Sequence, residues 1–72
     1  MISAVEIGRR LRALRGEKSR KEVAEANQIS ESALAMYETG ARIPRDEIKC
    51  KLAMYYQKSI EDIFFSEKVH EL

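Results

Sequence analysis

The chain has 72 residues, a formal net charge of +1, one cysteine and one histidine. That length allows one domain with a small core. Cys50 alone cannot close a disulfide within the chain, and with His70 it cannot supply the ligand set of a usual zinc site. No apolar run is long enough to cross a bilayer, and the N-terminus lacks a signal-peptide pattern, so a soluble cytoplasmic protein is the default expectation.

The pattern predicts five helices and no strands. The first runs from Ala4 to Arg15. Ser3 caps it, Glu6 completes a capping box, and Ile2 can staple to Ile7. Its apolar stripe is Ile7, Leu11 and Leu14, and Gly16 ends it. A second helix starts at the Ser19 cap, with Glu22 three residues on. A short turn separates it from a third, capped by Ser30, with Ile29 and Leu34 as a hydrophobic staple. Gly40 stops that helix, where a left-handed residue is wanted. After a loop from Gly40 to Pro44, Pro44 suits the start of a fourth helix, and Asp46 and Glu47 favour its positive first turn. Its inward stripe is Ile48, Leu52, Tyr55 and Tyr56, with Ala53 beside it. Ser59 with Asp62 marks the fifth helix, which carries Ile60, Ile63 and Phe64. The whole reads as one domain over 1–72, with a core from about 4 to 65 and a short tail expected to fray. Helix starts and apolar stripes agree at every element, which supports an all-α fold.

Charge is distributed unevenly. Residues 1–21 carry seven basic side chains against Glu6 and Glu17. Residues 22–45 carry two arginines against four glutamates, and residues 46–72 carry four lysines against six acids. One basic end fits a polyanion partner, although a solvated helix face gives the same pattern. Two short helices across so tight a turn form a helix-turn-helix, whose common use is to place its second helix in the DNA major groove.

The order and spacing of these residues resemble the phage-repressor-like (Xre-type) helix-turn-helix family. The matching positions are Ile7-Gly8, Leu11-Arg12, Arg15, Ser19 and Glu22-Val23-Ala24. They continue through Ile29-Ser30, Leu34, Tyr37-Glu38, Gly40, Pro44, Leu52-Ala53 and Ser59-Ile60 to Ile63-Phe64. The resemblance implies a compact five-helix lambda-repressor-like domain that binds operator DNA, commonly as a dimer, and represses or activates transcription. It also implies that Arg15, at the end of the first helix, pairs with Glu38 in the third. The chain departs from the family in two places. The turn reads Asn27-Gln28 where the family has an apolar residue and glycine, and Arg20 replaces a usual glutamine.

By spacing, Glu31, Ser32, Ala35 and Met36 would point at base edges from the start of the third helix. Glu31 can accept from a cytosine amino group, Ser32 can bond several bases, and Ala35 and Met36 can meet thymine methyls. Arg20, Lys21, Thr39, Arg42 and Arg45 are candidates for phosphate contact. Arg9, Arg10 and Arg12 lie on the first helix, with some facing solvent away from DNA. Ile60, Phe64, Phe65 and Val69 form an apolar surplus that is expected to serve as a dimer interface, the alternative being that Phe64 and Phe65 close the core of one chain. Cys50 falls opposite the stripe of the fourth helix and is expected to be inert. Tyr37, Tyr55 and Tyr56 read as core edge, and His70 as a tail residue.

These features favour a sequence-specific transcriptional regulator, more naturally a repressor than an activator. Such a chain would bind double-stranded DNA at a palindromic operator as a homodimer, and would be associated with the nucleoid. With no room for a ligand-sensing domain, no small-molecule ligand, cofactor or metal is expected; control would come from concentration, a protein partner or proteolysis. The alternative is a protein-interaction module, such as an antitoxin or anti-repressor partner. An enzyme is not expected, because no nucleophile–base set, carboxylate pair or phosphate loop is present.

Overall fold

Each of the first three helices begins on the serine that the sequence marks. In the computed structural model, which describes residues 2–67, the elements are α1 (Ala4–Arg15), α2 (Arg20–Ala26), α3 (Glu31–Thr39), α4 (Asp46–Tyr56) and a terminal wide turn, α5 (Glu61–Phe65). No strand occurs among the described residues, and the fold is all-α. Ser3, Ser19 and Ser30 accept from the N–H of Glu6, Glu22 and Ala33 at 3.1, 3.0 and 2.9 Å. Each bond satisfies an N–H that the helix itself leaves without a partner. The Glu6 carboxylate turns to Arg9 and Arg10 on the next turn of α1.

The C-terminal ends of α2, α3 and α4 share one motif. The N–H of Ile29, Ala41 and Lys58 bonds back over five residues to Ala24, Met36 and Ala53, at 3.0, 2.9 and 3.0 Å. This closure needs a left-handed residue just past the helix. Gly40 supplies it after α3 with φ 84°, but glutamine does so after α2 and α4, with φ 55° at Gln28 and 58° at Gln57.

Pro44 was expected to open the fourth helix. It is buried one residue before the N-cap, Arg45, and α4 starts at Asp46. The fifth element is a wide turn: Ser66 N–H bonds to Glu61 O at 2.7 Å, five residues back. Ser59 caps it through the Asp62 N–H at 3.0 Å, as its sequence suggests.

The core joins all five elements. Ile7 and Leu11 of α1, Val23 of α2, Leu34 of α3, Leu52 of α4 and Ile63 and Phe64 of α5 are fully buried. α1 runs close against α3 at Gly8, where an added Cβ would sit 2.7 Å from the Tyr37 carbonyl oxygen and closer still to that of Glu38. Only glycine allows two backbones so near. Two buried cations hold α5 against the bundle. Arg10 reaches from α1 to the Asp62 carbonyl at 2.7 Å. Lys49 of α4 lies 5.9 and 5.3 Å from the ring centres of Phe64 and Phe65, with Asp46 at 3.5 Å. Of the three arginines on the first helix, Arg9 and Arg12 are exposed, in keeping with the expectation that some of them face solvent, and Arg10 is buried.

Candidate nucleic-acid interface

The turn between α2 and α3 is pinned from inside. Asn27 is buried, and its Nδ2 donates to the Val23 carbonyl at 2.8 Å. Lys51 Nζ donates across from α4 to the Asn27 carbonyl at 3.4 Å. The left-handed residue is Gln28, so the strain falls on glutamine and not on the more tolerant asparagine. Its cost is about 1 kcal/mol. The bonds on both sides hold it there.

Helix α3 presents two unlike faces. Leu34, Tyr37 and Glu38 point inward and are buried. Glu31, Ser32 and Thr39 are exposed, and Ala35 and Met36 are half-exposed. At 3.6 residues per turn these five share one outward arc. All four residues expected at base edges, Glu31, Ser32, Ala35 and Met36, therefore lie on it. The arc carries one carboxylate and no cation. Thr39 lies on the same arc, and its hydroxyl is engaged with the Met36 carbonyl at 3.3 Å.

The candidate cations come from outside α3. Lys21 of α2, and Arg42 and Arg45 of the α3–α4 loop, are exposed. Arg20 is different. Its Nε donates to Glu38 Oε1 at 3.0 Å, and its side chain keeps 40% exposure. The sequence gives no local sign of this, since the two residues stand 18 apart.

Glu38 also takes the expected partner. Arg15 Nε and Nη2 meet its two oxygens at 2.8 and 3.2 Å, and Arg15 Nη1 donates to the Lys18 carbonyl at 2.6 Å. The hydrogen bonds to Glu38 hold the Arg15 pKa above its ordinary value. Tyr56 lies beside this cluster. Burial, and then the Glu38 charge, push its phenol up to about 12. Its hydroxyl is buried and has no hydrogen-bond partner among the described residues. The neighbouring ring, Tyr55, has its centre 5.1 Å from that of Tyr56; Lys18 Nζ donates to Tyr55 Oη at 3.2 Å and sits 4.9 Å from that ring centre.

The apolar surplus near the C-terminus divides. Phe64 is fully buried, so it closes the core of the single chain and is not available to a second copy. That corrects the expectation for this residue. Ile60 packs half-buried against the core, and Phe65 is 39% exposed. Val69 and His70 lie outside the described residues. Cys50 is exposed, as expected. Exposed Met54, one turn beyond it, escaped the sequence reading. Buried Arg10, Lys49 and Asn27 escaped it too. The pairing of Arg10 with Glu6, four residues apart, is legible in the sequence; its reach to Asp62 is not.

Comparison with known proteins fits this geometry. Residues 6–62 match a family model described as a helix-turn-helix domain. No curated protein matches the chain. Among solved structures, the clp gene regulator ClgR from C. glutamicum is similar, with a TM-score of 0.76 and 22% identity. The match covers 97% of this chain and 99% of that one, and it shows a shared fold.

Proposed function

Because the chain belongs to the helix-turn-helix domain family, we propose that it is a sequence-specific DNA-binding transcriptional regulator, with residues 31–39 as the recognition helix in the major groove. The observation that carries this reading is the outward face of α3, where Glu31, Ser32, Ala35 and Met36 stand clear of a buried backing. Glu31 accepts from a cytosine amino group, Ser32 bonds an adjacent base edge, and Ala35 and Met36 meet thymine methyls. Lys21, Arg42 and Arg45 contact the flanking phosphates, with Thr39 and Arg20 nearer the helix. With no cation on the recognition face, affinity comes from the backbone contacts and part of the specificity from DNA shape.

In this reading the chain acts in the cytoplasm, on the nucleoid. It binds a palindromic operator as a homodimer and represses by blocking polymerase. Phe65, 39% exposed, and half-buried Ile60 support a second-copy contact. The similar structure is named a gene regulator, which agrees with this role.

The test is selection of duplexes from a random pool, followed by fluorescence anisotropy on the selected duplex, on the DNA upstream of the chain's own gene and on a scrambled control, across salt. A preference of roughly 10³-fold or more for the selected duplex is expected. No binding at low salt overturns the reading and redirects attention to a protein partner.

A further inference from the structure

We propose that Glu38 is a positioning residue for DNA binding: by holding Nε of Arg20, it aims the rest of that guanidinium at a backbone phosphate. The inference rests on the DNA-binding reading above and goes beyond it, because a cation paired with a buried acid would ordinarily be counted as neutralised.

The charge balance argues otherwise. Arg15 meets both oxygens of Glu38, gives its remaining Nη1 to the Lys18 carbonyl, and has an 11% exposed side chain. Its single positive charge already balances the buried carboxylate. Arg20 is a second cation on the same acid, so the three side chains carry one net positive charge. The outer part of that charge belongs to Arg20, whose side chain is 40% exposed against 1% for Glu38.

The geometry gives this charge a direction. A guanidinium is planar and carries five N–H donors. The bond to Glu38 engages Nε. With Nε fixed, the plane of the two Nη groups is fixed as well. A free arginine would have to give up rotamer freedom on meeting a phosphate, whereas Arg20 has already done so. Two parallel N–H groups are the donor set that phosphate takes in a bidentate contact. Arg20 opens α2, next to exposed Lys21, and through Glu38 it is tied to the last turn of α3. The phosphate it holds would therefore stay in register with the recognition helix. A glutamine in this place carries no charge, and a lysine offers no plane.

The experiment uses the duplex that the parent chain selects from a random pool. Anisotropy is followed through a KCl series for the parent, Arg20→Gln and Arg20→Lys, and thermal unfolding of each is recorded by circular dichroism. Both variants leave the Arg15–Glu38 pair in place. Arg20→Gln should lower the log–log salt slope by about 0.9 per bound chain. Arg20→Lys should keep the parent slope but bind about tenfold more weakly, since one ammonium cannot hold the acid and a phosphate in one fixed plane. A changed melting temperature with unchanged slope and affinity in Arg20→Gln overturns the inference and leaves Arg20 a purely structural residue. Arg20→Lys binding as tightly as the parent also overturns it, because charge alone then suffices. A parent chain that selects no duplex, or binds DNA without salt dependence, overturns the DNA-binding reading itself and the inference with it.

Discussion

Arg15 and Glu38, 23 residues apart in the chain, meet at two points, 2.8 and 3.2 Å, and so lock the end of α1 to the end of α3. The carboxylate is 1% exposed and the guanidinium 11%. Removing one partner strands a buried charge, which costs far more than an exposed pair is worth. Glu38→Ala should lower stability by about 3–5 kcal/mol at neutral pH. Urea unfolding measures it, as a lower midpoint at unchanged slope. A loss below about 1 kcal/mol would class the pair with exposed ones.

The same helix contact predicts the sign at Gly8. On an open helix, glycine to alanine gains about 1 kcal/mol. Here the new Cβ meets the Glu38 and Tyr37 carbonyls, the latter at 2.7 Å, and both are backbone atoms that cannot swing aside. Gly8→Ala should instead destabilise by about 1–3 kcal/mol, read as a lower melting temperature.

Three helix ends with one geometry allow a paired test. Gln28 and Gln57 hold left-handed conformations that glycine adopts freely, and Gly40 already does so. Replacing either glutamine by glycine removes the strain but adds entropy to the unfolded chain, for a net gain of about 0.5 kcal/mol. The Gln28→Gly/Gln57→Gly double variant should gain about 1 kcal/mol, the sum of the two single gains. Gly40→Ala should lose about 1–2 kcal/mol, because it adds a strained φ and crowds Val5 at 3.0 Å. Chemical denaturation of the glycine variants and of Gly40→Ala checks the opposed signs.

Tyr56 supplies a pH dependence. Its phenol is raised from 10.0 to about 12, so the folded chain keeps a proton that the unfolded chain loses. The stability it contributes is fully present below pH 10 and is lost as pH rises towards 12. Tyr56→Phe should flatten stability across that window and remove a late phenolate transition in ultraviolet absorbance. At neutral pH it should leave stability level or slightly raised, because the hydroxyl has no partner among the described residues. A marked loss at neutral pH would reveal a partner for that hydroxyl.

Glu31 bears on specificity. It is exposed at the first position of α3, and a carboxylate accepts from a cytosine amino group. Glu31→Gln should shift the preferred pair at one operator position from cytosine towards adenine, by about 1–3 kcal/mol. Selection from a random pool with both proteins reads this out, and identical consensus sequences would remove Glu31 from the base-reading set.

Much of the fold is legible in the chain because its signals are local. A serine and the N–H that it caps lie three residues apart at Ser3, Ser19 and Ser30. The stripe Ile7, Leu11 repeats at the helical period, and Gly40 marks a left-handed stop. The outward arc of α3 was legible for the same reason, since its periodicity separates Leu34 and Glu38 from Ser32 and Met36. What only the tertiary structure decided are partnerships over long separations. Arg10 finds Asp62 across 52 residues, and Arg20 finds Glu38 across 18. Phe64 is buried while Phe65 stays half in solvent, although the two are adjacent and chemically alike. Composition and periodicity name a cation or an aromatic ring. Which partner that cation meets, and which ring enters the core, depends on where helices cross, and the crossing is set by packing across the whole molecule.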